Sequence, residues 1–502
     1  MPCLIIRSDG RKLQSEGEAS FRTGVQGGAC AWWQWDGREL KAGSEPWGFY
    51  PLYLLQQPGV IGIATSIVEL LPFLEDRALD ETALAVFLRL GYHMGQDTPW
   101  RAIRAFPAAS AISWVPGQAP RVLDEFVPQE ACTLPRQAII RRYLELFEAS
   151  IAASAPSNPV VVPLSGGRDS RHILFELLRA GRKVERVFTT WRGDDIDAAR
   201  RVARATGMRH QVCRQRGNMR DELRKNVLTS FCSDEHGWVI PAIDALGEQP
   251  LSLYDGIAGG MLSAGAFLRD EDVRDFRDGR FGKLARRFLV RRHRRLQRVG
   301  DVARHFPLEA AVARVEAEMR RLAGRVNGLT EFYLWNRTRR EITLYTFEML
   351  GMRHEVHAPY LSRELVGFLL SLPPEEVIGK GLHTETIATG YPRYAGVPYE
   401  KRTGLKRQLR RVAALRPSMY FEARSVLADL RGELLGPREL RRMAFHCAVD
   451  ERIREYVGAP LCIAQLTQWP VERMQLEYVT RGWLPRGQAS AAQAGLEKVP
   501  GS

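Results

Sequence analysis

No apolar run in the 502-residue sequence approaches the ~20 residues that a membrane-crossing helix needs. The opening MPCLIIRSDGRK carries too short an apolar segment for a secretory signal, so a cytoplasmic protein without a membrane partner is expected. Cysteine is scarce and scattered. The seven residues Cys3, Cys30, Cys132, Cys213, Cys232, Cys447 and Cys462 form no CxxC pair, which argues against a disulfide framework or a zinc site and leaves free thiols. Acidic residues are outnumbered, 58 against 72 basic, for a formal charge of +14. That balance admits a nucleic-acid partner, but the excess is mostly Arg and clusters locally. Arg286, Arg287, Arg291, Arg292, Arg294, Arg295 and Arg298 fall within thirteen residues, interleaved with Phe288, Leu289 and Leu296. Such a segment is either one solvated helix with a basic face or an anion-binding patch. With a hydrophobic fraction of 45%, the chain has enough apolar material for two or three domains with real cores.

The stretch from Val160 to Ala180 reads VVVPLSGGRDSRHILFELLRA. A β-branched apolar run leads into Ser165-Gly166-Gly167-Arg168-Asp169-Ser170, after which Ile173, Leu174, Leu177 and Leu178 recur at helical spacing. The pattern predicts strand, glycine-rich turn, helix. Adjacent glycines allow a tight turn and close approach to a ligand, and the helix start offers unpaired N–H groups at the positive end of its dipole. A plain strand-to-helix turn uses the same residue types, yet the whole arrangement suits a phosphate. No GK[ST] follows the glycines, so this is not a Walker loop.

Alternation continues downstream: a strand over Val184 to Thr190, a helix over Asp195 to Thr206 and a third strand beginning at His210. Strands alternating with helices predict a parallel, doubly wound α/β sheet with ligands at the carboxyl ends of its strands. Before it, residues 1–128 look β-rich. GACAWWQWDG, PWGFYPLYLLQ and VIGIATS are β-favouring runs, Asp36-Gly37 suits a hairpin turn, and Asp80 can cap a helix running to Leu90. Arg136 to Ala152 reads as an amphipathic helix after a Pro-containing linker. From about Leu308 the chain turns helical, and 486–502 reads as a disordered tail.

SGGxDS resembles the pyrophosphate-binding loop of the N-type ATP pyrophosphatases, and its setting resembles the asparagine synthetase superfamily. By that resemblance residues 136–485 form an adenine nucleotide α-hydrolase-like synthetase domain. Leu164, Ser165, Gly166, Gly167, Asp169 and Ser170 then hold ATP, with Asp169 near Mg²⁺. Thr189, Thr190 and Trp191 fall where the family contacts adenosine, followed by Asp195 and Asp197, for which helix capping is an equal reading. Leu253-Tyr254-Asp255-Gly256-Ile257-Ala258-Gly259-Gly260 is similar to the family's second glycine-rich phosphate loop. Its usual terminal acid is replaced by Gly260, so the resemblance implies either that Asp255, beside Gly256, holds the metal instead or that metal binding is weaker than in the family. The segment EVHAPYLSRELV resembles VExRxPFLDxxLV, with His357 and Ser362 in place of Arg and Asp where the family shapes its substrate side. Lys401, with Lys406 as the rival, falls where the family places a phosphate-contacting, charge-stabilising cation.

The N-terminal spacing is similar to the late half of a class II glutamine amidotransferase domain. That chemistry needs a cysteine whose own α-amino group serves as base, whereas Pro2 precedes Cys3 here. A truncated remnant without glutaminase activity is expected. The resemblance implies an AMP-forming ligase that takes ATP, Mg²⁺ and a small-molecule or peptide carboxylate, with ammonia or an amine as acceptor. A homodimer or a separate ammonia-supplying subunit stays open. The other expectations are a tRNA-modifying SGGxDS enzyme of the lysidine synthetase or thiolating kind, and a non-catalytic nucleotide-binding homologue.

Overall fold

A computed structural model describes the chain except residues 1, 9–11, 26–28, 126, 128–129, 191–192, 214–218, 297–305 and 400–502. The fold is mixed α/β. Ten strands lie in the first quarter of the chain: β1 (Cys3–Ser8), β2 (Leu13–Gly17), β3 (Ser20–Gly24), β4 (Cys30–Trp35), β5 (Leu40–Ser44), β6 (Tyr53–Gln57), β7 (Val60–Ala64), β8 (Ile103–Ala105), β9 (Ala109–Trp114) and β10 (Arg121–Glu125). They make two antiparallel sheets in the orders β2-β1-β7-β6-β8 and β10-β9-β5-β4-β3.

Strand alternation explains how the two sheets meet. Leu4, Ile6, Leu54, Ile61 and Ile63 of one sheet share a buried cluster with Trp33, Trp35, Leu40, Ala42 and Ile112 of the other. Their neighbours Ile5, Tyr53, Leu55 and Ala64 point the opposite way and join the large core of the remaining chain. Asp36 does turn the β4–β5 hairpin, its Oδ1 accepting from the N–H groups of Arg38 and Glu39, both at 2.8 Å. Asp80 caps the helix Glu81–Leu90 by accepting from Ala83 N–H at 2.9 Å. Gly91 ends that helix at φ +83°, where a Cβ would collide with the Asp234 carboxylate.

The second half is built on a parallel sheet of β11 (Val160–Pro163), β12 (Val184–Thr189), β13 (His210–Val212), β14 (Ser252–Tyr254) and β15 (Glu355–His357), in the order β13-β12-β11-β14-β15. β15 pairs beside β14 across about a hundred residues of sequence, and nothing in its three-residue span announces it. Helices Asp169–Arg179 and Gly193–Thr206 pack on it, Arg136–Ala152 packs on the first of these and Arg363–Ser371 on Arg136–Ala152, whereas Leu308–Arg320 packs against the helix Glu81–Leu90.

One long helical rod, Gly328–Leu350, links the two halves. Beyond Tyr333 its turns widen to i→i+5 hydrogen bonds, as from Thr343 N–H to Thr338 O and from Gly351 N–H to Thr346 O. One side of the rod enters the β-sandwich region. Arg339, 5% exposed, donates to the carbonyls of Gly48 (2.9 Å), Gly95 (3.3 Å) and Phe106, and Arg340 donates to Asp97 O at 2.6 Å. Gly95 N–H donates to Asn336 Oδ1 at 2.8 Å, and Tyr53 OH donates to Glu348 Oε1 at 3.2 Å. Among the described residues, no helix is long and apolar enough to cross a membrane.

Candidate active site

β11 delivers Leu164 and the SGGRDS turn into a cavity of about 400 Å³ at the carboxyl edge of the parallel sheet. The entrance of the turn is fastened to β12: Leu164 N–H donates to Phe188 O at 2.7 Å, and Thr189 Oγ1 donates to Leu164 O at 2.6 Å. Ser170 Oγ accepts from Ser165 N–H at 3.0 Å, while Ser165 Oγ accepts from Gly167 N–H at 3.1 Å. Gly166 N–H donates to Asp195 Oδ1 at 2.6 Å. A carboxylate oxygen therefore already sits on a backbone donor of the turn. The donor set fits an anionic oxygen, as a phosphate loop requires.

The second glycine turn follows β14 and closes on the first. A Cβ on Gly256 would lie 2.9 Å from the Asp169 Cβ, and one on Gly259 would lie 2.9 Å from both Asp169 Cγ and Tyr360 Cε2. Only glycine permits that approach. Gly260 N–H hydrogen-bonds the Asp169 carboxylate, and a side chain there would start 3.2 Å from Asp169 Oδ2. An acid at position 260 would thus crowd Asp169 with like charge.

Asp169 opens the helix that follows the first turn. Burial pushes its carboxyl up to about 7, and Asp255 acts in the same direction, against the Gly260 N–H and the Arg168 and Lys380 cations. Asp255, itself raised by burial, accepts from Ile257 N–H at 2.8 Å and from Tyr345 OH at 2.9 Å. Two buried carboxylates, one of which raises the proton affinity of the other, fit a divalent cation, which would relieve both. Beneath Asp169, His383 Nδ1 lies 3.4 Å from Asp169 Oδ1 and 2.9 Å from Ser263 Oγ. Its Nε2 meets Tyr360 OH at 3.1 Å, which in turn meets His172 Nδ1 at 3.1 Å. Burial pushes His383 down to about 3 and His172 well below its ordinary value, so both rings are neutral.

Arg168 and Arg171 flank the turn on its outer side. Both guanidiniums lie 4.3 Å from the Tyr399 ring centroid, and Arg171 donates to Val397 O at 2.8 Å and Pro398 O at 2.6 Å. Residues 397–399 are thereby held against the glycine turn.

Of the residues singled out in the sequence, Leu164, Ser165, Asp169, Ser170, Thr189, Thr190, Asp195, Asp255, Gly256 and Gly260 line the cavity. Gly166 and Gly167 complete the turn behind them. Trp191, Lys401 and Lys406 lie outside the described residues. Asp197 is exposed and pairs with Arg200 at 3.0 Å, an ordinary helix-surface contact. His357 and Ser362 are not among the residues that line this cavity. His357 stacks on Tyr254 with centroids 4.6 Å apart and lies 3.4 Å from Glu355, whereas Ser362 caps the helix Arg363–Ser371 by accepting from Leu365 N–H at 3.3 Å. Serine caps as well as aspartate does, so the exchange is neutral to the helix.

Tyr345, which donates to Asp255, and His383, beside Asp169, sit in helical segments whose apolar spacing reads as core, so residue type alone does not mark them. Asp234, Glu235 and Glu341 bring carboxylate oxygens within 4.8 Å of one another at the cavity's other end. Cys3, in β1, is pushed to about 11 by burial with help from Glu69, so its thiol stays protonated at neutral pH. Among the basic cluster, Arg286 pairs with Glu309 and Arg287 with Asp272 and Asp275, which is the behaviour of an ion-paired helix face. Compared with protein-family models and with curated proteins, the chain matches none.

Proposed function

We propose that the chain is an ATP-dependent, AMP-forming carbon–nitrogen ligase of the asparagine synthetase type, with its parallel sheet doubly wound in the manner of the adenine nucleotide α-hydrolases. The observation that supports this most is the pair of glycine turns facing each other across Asp169 at the carboxyl edge of β11 and β14. One turn alone is a common structural device. Two that converge on a carboxylate make a clamp for a pyrophosphate leaving group.

In this reading Leu164, Thr189 and Thr190 border the nucleoside, and the Ser165–Ser170 turn with Gly256–Gly260 takes the β- and γ-phosphates. Mg²⁺, when held by Asp169 and Asp255, supplies charge neutralisation at the phosphates. A substrate carboxylate oxygen bonds to the α-phosphorus, the α–β bridging P–O bond breaks, and pyrophosphate leaves with that electron pair. An amine nitrogen then attacks the acyl carbon, AMP departs, and the amine loses a proton. The protein positions the reactants and stabilises charge, with Lys401 as the proposed cation at the transferring phosphate. Cys3 takes no part, so nitrogen comes from ammonia, a separate subunit or an amine substrate in a cytoplasmic setting.

With ATP, Mg²⁺ and a panel of carboxylic acids, the expected products are AMP and pyrophosphate, abolished in Asp169→Ala. Sustained ADP formation by the purified chain would overturn the assignment. For the tRNA-modifying alternative, Arg286 and Arg287 offer no free cation, since both are paired with acidic side chains.

A further inference from the structure

The cavity continues past the phosphate turns into a compartment of different chemistry. Trp238, His236 and Tyr345 form one aromatic cluster there, with centroid separations of 5.1, 5.7 and 6.0 Å. Phe267, 52% exposed, adds a fourth ring, and Met261 and Ile342 fill in between. Arg337 is the one cation among the described residues that line the cavity. Its guanidinium lies over the Phe267 ring at 4.7 Å, 3.2 Å from Glu341 and 3.5 Å from Glu235. Two carboxylates face one cation, so the compartment offers no net positive charge to an anionic side chain.

Two further observations mark this wall as built for a ligand. Thr338 Oγ1, on the same rod, is buried to 2% and has no hydrogen-bond partner among the described residues, although Thr338 lines the cavity. His236 and Phe267 are held at φ +81° and +71°, and Ala258 at +70°, so three of the non-glycine residues with left-handed backbone border this one space. Conformations of that kind persist only where the surroundings impose them, and they concentrate at binding sites.

We infer that the compartment binds the acid to be activated, and that this acid is a monocarboxylate with an aromatic or bulky apolar body rather than aspartate. The inference rests on the ligase reading above. The rings take the apolar body, Thr338 supplies a polar contact, and the reacting carboxylate points to the phosphate turns. A dicarboxylate would place its second charge beside Glu235 and Glu341.

The test compares N-acetyl-phenylalanine with aspartate in ATP–pyrophosphate exchange, and measures binding of each acid and of ATP by calorimetry. N-acetyl-phenylalanine is expected to support exchange at least tenfold better than aspartate. Phe267→Ala and Trp238→Leu should each weaken its binding ~10-fold or more while leaving ATP affinity within about twofold, in keeping with the contribution of a ring that the bound acid covers. Preferential activation of aspartate overturns this inference and leaves the ligase assignment standing. Equal loss of ATP affinity in Phe267→Ala also overturns it, since the rings would then hold adenine. If ATP binds but no acid supports exchange, the ligase assignment fails; calorimetric binding of N-acetyl-phenylalanine that Phe267→Ala removes still upholds the apolar site.

Discussion

Replacing Arg339 with Met should cost ~3–5 kcal/mol of stability, the low end of what three carbonyls lose with their shared donor. The figure follows from the surroundings. Three main-chain carbonyls, those of Gly48, Gly95 and Phe106, lose their donor at once in a region from which water is excluded. Each orphaned acceptor costs ~1–3 kcal/mol. Against that, the guanidinium itself is strained by burial, which pushes it down to about 9, and Met returns this desolvation cost. Arg339→Lys should fall between, because one ammonium cannot reproduce a planar fork serving three carbonyls. The assay is urea unfolding followed by tryptophan fluorescence, where at ~2–3 kcal/mol/M the Met variant loses roughly 1–2 M in midpoint. Arg363→Met, at an exposed helix start, serves as the control and should stay within ~0.5 kcal/mol. An Arg339→Met midpoint equal to that of the control would refute the idea that these carbonyls depend on one side chain.

Asp169→Asn should alter how stability depends on pH. The folded carboxyl keeps its proton up to about 7 whereas the unfolded one releases it near 3.8, so the parent protein loses stability as pH rises through that window. The Asn variant has no such slope. Unfolding free energies that coincide near pH 4 should separate in its favour by pH 8, by ~1–2 kcal/mol once solvent access to a 31% exposed side chain is allowed for. A constant gap across that range would contradict the raised pKa. Gly256→Ala should weaken ATP binding at least tenfold by displacing Asp169, whose Cβ is 2.9 Å from the added methyl, whereas Gly396→Ala, with nothing within 4 Å, should not change it.

Much of the central sheet is legible in local pattern. The valine run, the glycine turn and the apolar spacing behind it predict β11 and its helix. The Asp80 cap and the helix Arg136–Ala152 follow from residue type and period alone. What local pattern cannot carry is pairing over distance. β13, β14 and β15 are three residues each, too short for alternation to appear, and β15 joins the sheet through a neighbour about a hundred residues earlier. Polar residues in the rod mislead in another way. Asn336, Arg339, Arg340 and Glu348 look like a solvent-facing stripe, yet they are buried because main-chain carbonyls, the Gly95 N–H and a tyrosine hydroxyl of the β-sandwich region receive or supply their hydrogen bonds. The site divides along the same line. Each of its two glycine turns is contiguous in sequence and visible there, whereas the contact of Asp195 with Gly166 and of Tyr345 with Asp255 exists only after folding.

The widened turns of the rod also set an angle. In a regular α-helix each residue advances ~100° around the axis, and Arg339 and Tyr345 are six residues apart. With i→i+5 bonding each residue advances less, so the direction of Tyr345 relative to Arg339 differs from what an ordinary helix would give. Deleting a single residue between them would let the segment rewind, and Arg339 could keep its carbonyls only if Tyr345 turned away from Asp255. The winding of the rod is therefore a length constraint on this chain: substitutions along it are negotiable, but its residue count is not.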